Sequence, residues 1–63
     1  MKVIINSESL IFYDVQHPAV NEFIAQHELK TVVKGGKLHV YGKRNELYGL
    51  LLHVTKDHDV DLV

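Results

Sequence analysis

Lys30-Thr31-Val32-Val33-Lys34-Gly35-Gly36-Lys37-Leu38-His39-Val40-Tyr41 is the stretch on which the fold turns. Two glycines stand between two runs rich in β-branched and aromatic residues, the pattern of a hairpin closed by a two-residue loop. Such a loop needs positive φ, which glycine adopts at little cost. With Gly35-Gly36 as the loop, Lys34 pairs with Lys37, Val33 with Leu38, Val32 with His39, Thr31 with Val40 and Lys30 with Tyr41. Side chains alternate along a strand. Thr31, Val33, Leu38 and Val40 therefore share one face, the expected core side. Lys30, Val32, Lys34, Lys37, His39 and Tyr41 share the other.

Upstream of the hairpin the period changes. Val20, Phe23, Ile24 and His27 recur at i, i+3, i+4 and i+7, one face of a helix that begins at Pro18. Proline suits the first helical position because its missing N–H would be unpaired there anyway. Strand-like runs precede it at Val3–Ile5 and Leu10–Val15, split by the polar Asn6-Ser7-Glu8-Ser9, and Leu29 to Val33 resumes the strand pattern after it. Downstream, residues 43–55 fit two templates. Leu47, Leu50, Leu51 and Val54 match a helix, while Tyr48, Leu50, Leu52 and Val54 match a strand. Leucine richness and Glu46 near the start favour the helix, although Gly49 in its middle costs about 1 kcal/mol relative to alanine. Lys56 to Asp59 reads as a turn and Val60 to Val63 as a terminal strand.

The expected fold is thus a single α+β domain over residues 1–63: a small antiparallel sheet with two helices on one face, in ββαββαβ order. This is the ferredoxin-like arrangement with an extra N-terminal strand, an analogy of architecture that implies no function.

Length limits what the domain can do. The chain has 63 residues, 7.2 kDa, no cysteine, no tryptophan and one proline. Disulfide frameworks, cysteine-type zinc sites, iron–sulfur clusters and thiol nucleophiles are excluded. A core of this size supplies roughly 3–5 kcal/mol, so a second polypeptide, identical or not, is the expected complement. The longest apolar runs, Leu10-Ile11-Phe12-Tyr13 and Leu50-Leu51-Leu52, are far too short for a signal peptide or a membrane span. A cytoplasmic protein without membrane association is expected.

The near-neutral total of seven basic against eight acidic residues hides a segregation. Residues 30–44 hold Lys30, Lys34, Lys37, Lys43 and Arg44 with no acid, a sum of +5. The flanking segments each sum to −3. Opposed lysines across a hairpin are modestly destabilising, which makes sense where an anion binds. Lys30, Lys34, Lys37, His39, Tyr41, Lys43 and Arg44 are therefore the candidate anion or nucleic-acid contacts, combining phosphate-tracking cations with an aromatic that stacks on bases, and Phe12 or Tyr13 of the neighbouring strand is expected beside them. The competing explanation is that such lysines keep exposed strands from aggregating.

A second surface is expected on the later helix. Leu47, Leu50, Leu51 and Val54 already fill a core stripe about 100° wide, leaving Tyr48 and Leu52 as an extra apolar pair at i and i+4. These two are the candidate protein contacts.

Catalytic signals are weak. Ser7, Ser9, Thr31, Thr55 and the tyrosines lie in no catalytic context, and Lys34-Gly35-Gly36-Lys37 lacks the P-loop spacing. Asp14 and His17 suit helix capping better than proton transfer. Five histidines show no metal-binding spacing, and Asp57-His58-Asp59 sits in a turn where polar residues belong. A chain this short also has little room for a water-excluding pocket of roughly 300 Å³. The expectation is a non-enzymatic interaction or regulatory protein, without cofactor, metal or small-molecule substrate. It would bind a protein partner or itself through a sheet edge and the helix patch, with nucleic-acid binding by the basic hairpin as the alternative.

Overall fold

Gly35 and Gly36 take φ of 61° and 74°, the two successive left-handed residues of a type I′ turn, and they close the hairpin in the register derived above. The computed structural model describes residues 1–56 and 58–63. The elements are β1 (Lys2–Ile5), β2 (Ser9–Phe12), α1 (Pro18–His27), β3 (Lys30–Lys34), β4 (Lys37–Tyr41), α2 (Arg44–Thr55) and β5 (Asp61–Leu62). The order is ββαββαβ, an α+β domain, and the segment 43–55 resolves as helix.

The sheet order is β3-β4-β2-β1-β5. Strand β4 lies antiparallel between β2 and β3, as the split βαβ of the expected arrangement requires. The extra strand β1 is not appended outside. It sits between β2 and β5, antiparallel to β2 and parallel to β5. The sheet is therefore mixed rather than wholly antiparallel. Asp61 N–H donates to the Met1 carbonyl (2.7 Å) and Val63 N–H to the Val3 carbonyl (3.0 Å), the slanted spacing of a parallel pair.

Local chemistry sets the element ends. Strand β2 stops at Phe12, short of the expected Val15, because the Asp14 carboxylate accepts from the Gln16 N–H (3.0 Å) and turns the chain. His17 caps α1, its Nδ1 accepting from the Ala19 N–H (3.3 Å). Asp14 and His17 thus each serve a backbone donor. At the other end Glu28 is left-handed (φ 52°), and the N–H groups of Glu28 and Leu29 both donate to the Ile24 carbonyl. Leu29 consequently belongs to this cap, not to β3. Helix α2 opens with the Lys43 N–H donating to Glu46 Oε1 (2.9 Å), half of a capping box.

The core joins Val3, Leu10, Phe12, Leu38 and Val40 on one sheet face to Val20 of α1 and Leu47, Leu50 and Val54 of α2. The helices meet at Gly49, where an added β-carbon would lie 3.3 Å from Cζ of Phe23. Gly49 gives up helix propensity to admit that ring. The expected core side of the hairpin is corrected on one strand. Leu38 and Val40 are buried, but Thr31 and Val33 are exposed, because the helices lie over β4, β2 and β1 and stop short of β3. His27 is likewise exposed, stacked 4.0 Å from the Phe23 ring rather than turned into the core.

Among the described residues no helix is long and apolar enough to cross a membrane.

Candidate functional site

Strand β3 is exposed at all five positions and forms one edge of the sheet. Its backbone polarity follows from the turn. A two-residue loop makes Lys34 and Lys37 a mutually hydrogen-bonded pair, and such pairs alternate along an antiparallel ladder. Val32–His39 and Lys30–Tyr41 are then bonded pairs as well. The N–H and C=O of Thr31 and Val33 point outward, away from β4. The strand offers a row of free donors and acceptors with Val32 (49% exposed) on one face and Val33 (64%) on the other.

Among the described residues no helix lies over the opposite face of the sheet, which is half-buried along its middle and exposed at Lys2, Tyr13, Tyr41 and the β3 residues, and the registers order it into rows. The first row crosses the strands as Asp61, Lys2, Tyr13, Lys37 and Lys34. Its Lys2–Tyr13 step is fixed by the Tyr13 N–H donating to the Lys2 carbonyl (3.2 Å). Lys37 Nζ stands 4.9 Å from the centre of the Tyr13 ring and Lys2 Nζ 5.9 Å, so one aromatic holds two cations. The second row is Ile4, Ile11, His39 and Val32; the third is Ser9, Tyr41 and Lys30. Lys30, Lys34, Lys37, His39 and Tyr41 thus share this face as the sequence implies. Tyr13, one of the two aromatics expected from the neighbouring strand, joins them, whereas Phe12 is buried in the core on the other face. Lys2 and Ile11 join without any signal local to the hairpin, through the strand order alone.

Lys43 and Arg44 separate from this group. Lys43 is the N-cap of α2, and Arg44 lines an apolar groove on the helix side. That groove, about 470 Å³, lies between α2 and the β1–β2 turn and is walled by Ile5, Leu10, Leu47, Leu51 and Tyr48. It is larger than the length of the chain suggests. It is an open groove rather than a closed, water-excluding pocket. Tyr48 and Leu52 are both exposed, at 62% and 53%, but they part company: Tyr48 is on the groove wall and Leu52 is not. Leu51, assigned to the core stripe, stands on that wall instead, together with Leu47.

The remaining candidates have local partners. Ser9 is buried, its Oγ accepting from Asn6 Nδ2 (3.4 Å), and Thr55 Oγ1 donates to the Leu52 carbonyl (3.1 Å). His17 and His58 meet edge to face at 4.5 Å, and His53 tilts against Phe23 at 5.4 Å. Among the described residues no three metal-ligating side chains converge. Asp57 of the Asp57-His58-Asp59 group lies outside the described residues. Comparison with protein-family models, with curated proteins and with solved structures gives no match.

Proposed function

We propose that this chain is a small non-catalytic interaction module that binds another polypeptide by adding an extended strand to the β3 edge. The observation that carries this reading is a five-residue edge strand left bare on both faces, with Val32 and Val33 exposed and the Thr31 and Val33 backbone free. Main-chain pairing gives such an interaction its affinity, and the alternating side chains give it specificity.

The side chains favour an acidic strand over a second copy of this chain. In the antiparallel register that brings all five β3 residues of two copies opposite each other, Lys30 faces Lys34 of the partner subunit twice over. Like charges directly opposed across strands are destabilising. A partner with acids four residues apart sets a carboxylate opposite each lysine and an apolar residue opposite Val32. The exposed Tyr48 and Leu52 of α2 offer a secondary apolar contact to the remainder of such a partner.

The test is a titration of isotope-labelled protein at low salt with a seven-residue peptide of alternating valine and threonine carrying glutamate at positions two and six. The Thr31 and Val33 amide signals are expected to shift and to gain protection from exchange. A peptide with lysine at the same two positions is expected not to bind. Equal binding of both peptides, or binding that leaves those two amides untouched, sinks the reading.

A further inference from the structure

We infer that the helix-free face of the sheet binds single-stranded nucleic acid, with the backbone along the Lys2–Tyr13–Lys37–Lys34 row and the bases over the adjacent Ile4–Ile11–His39–Val32 row. This goes beyond strand addition: it uses side chains on the face of the sheet, Lys34 and Val32 of β3 among them, and not the free main chain of the edge.

Charge is the first argument. Within its strands the face carries Lys2, Lys30, Lys34 and Lys37 against the carboxylate of Asp61, a surplus of +3 in a chain whose total is −1, with Glu28 and Glu46 bordering only the Lys30 end. The surplus is not scattered. Three of the lysines stand in one row across β1, β4 and β3, a span of three strand spacings or about 14 Å. The Tyr13 ring lies between two of them and holds both ammonium groups over the sheet. Lysines that serve only to keep an edge from aggregating belong on the edge strand. Lys2 and Lys37 are on interior strands, where that explanation does not reach.

Shape and composition are the second argument. Next to the charged row runs an apolar one, half-buried at Ile4, Ile11 and His39 and exposed at Val32, and at its far side Tyr41, 41% exposed, stands about 13 Å along β4 from Lys37. A cationic lane beside an apolar and aromatic lane matches a strand whose phosphates and bases lie on opposite sides of its backbone. Base faces stack on such surfaces with little regard to sequence. A duplex keeps its bases stacked inside and presents phosphates on both flanks, so it fits one lane only. Glu28 and Glu46, which border Lys30 and Tyr41, close the track at that end.

The experiment is fluorescence anisotropy of a labelled single-stranded 12-mer against the whole chain at 50 to 200 mM salt. Three neutralised phosphates predict a slope of log affinity on log salt of about −2, hence binding roughly twentyfold weaker at the higher salt. Lys34→Gln and Lys37→Gln each flatten the slope by about 0.7. Tyr41→Ala weakens binding about tenfold and leaves the slope unchanged. Arg44→Gln, in the groove on the other side, changes neither. Circular dichroism confirms that each variant is folded. The inference is overturned by an absence of binding at 50 mM salt, by equal affinity for the duplex, or by an Arg44→Gln effect as large as that of Lys37→Gln. A polyglutamate peptide that competes as well as the oligonucleotide overturns it too, in favour of an acidic protein. Val33→Pro separates this surface from the edge: it blocks strand addition and leaves oligonucleotide affinity intact.

Discussion

Moving a proline by one position along β3 tests the register and the free edge together. Val33→Pro deletes an N–H that points away from the sheet, so no ladder bond is lost. The side chain is 64% exposed, so the packing change is worth about 0.5 kcal/mol at most. Proline is tolerated on an edge strand when its missing donor faces solvent, and it restricts Val32 to the extended conformation that residue already has. The net change in folding stability should stay within about 1 kcal/mol. Val32→Pro removes the donor of the Val32–His39 pair. It loses a hydrogen bond worth about 1 kcal/mol net, leaves the His39 carbonyl unpaired, and drives the ring against β4. The total is about 2–4 kcal/mol, comparable with the whole stability of a domain this small.

Native-state hydrogen exchange with urea denaturation measures both. In the unmodified chain Lys30, Val32 and Lys34 amides should be protected, with Thr31 and Val33 exchanging as fast as loop amides. Val33→Pro should preserve that pattern at Lys30 and Val32, and Val32→Pro should erase protection along β3. Equal protection at all five positions, or equal destabilisation by the two prolines, would refute the outward assignment of Thr31 and Val33. Strand addition at this edge would fall with it.

Three further substitutions probe the scaffold. Glu28→Gly relieves a left-handed residue that costs a side chain about 1 kcal/mol or more, so the melting temperature should rise by roughly 4–8 °C; a fall would mean that the Glu28 side chain stabilises the cap. His17→Asp puts a better acceptor and a negative charge at the N-terminus of α1 and should stabilise by about 0.5–1 kcal/mol in chemical denaturation. No gain would assign the stabilising role to the His17–His58 contact instead. Gly49→Ala adds about 1 kcal/mol of helix propensity but presses a carbon toward Phe23, so its benefit should be larger in a Phe23→Leu background. A double-mutant cycle with no coupling would show that the helices can part without cost.

The hairpin was legible because every local preference in it agrees: turn glycines, β-branched strands and a register that follows from loop length. The first helix was legible from Pro18 and its spacing. The ends were less so. Tyr13 to Val15 has strand composition, and one Asp14 hydrogen bond to the Gln16 N–H overrides it. Glu28 gives no hint of a left-handed cap, because the residue that usually marks one is glycine. The largest departure is Thr31 and Val33, whose alternation says core and whose position says edge. A signal was present. Val32 and Val33 are adjacent, so one of them must face each side, and lysines bracket the pair, a composition suited to an uncovered edge. The open face could be assembled only in part, since Lys2 and Ile4 come to it through a strand order that no local pattern encodes.

The extra strand explains why two surfaces are left bare at once. Two helices side by side, each about 10 Å wide, cover about four strands at 4.8 Å spacing. A four-stranded sheet in the expected order would bring nearly every strand under them. Here β1 is inserted between β2 and β5, and the buried residues of the sheet come from β1, β2 and β4 alone. The insertion pushes the outer strands away from the helices, so β3 loses its roof while keeping its pairing to β4. It also widens the opposite face, adding Ile4 to the apolar row and Lys2 to the basic one. Deleting β1 would narrow the face and remove one end of each row, but the same deletion takes Val3 out of the core. The strand that creates the open surface is also one that holds the domain together, which ties the shape of the interaction face to the stability of the fold.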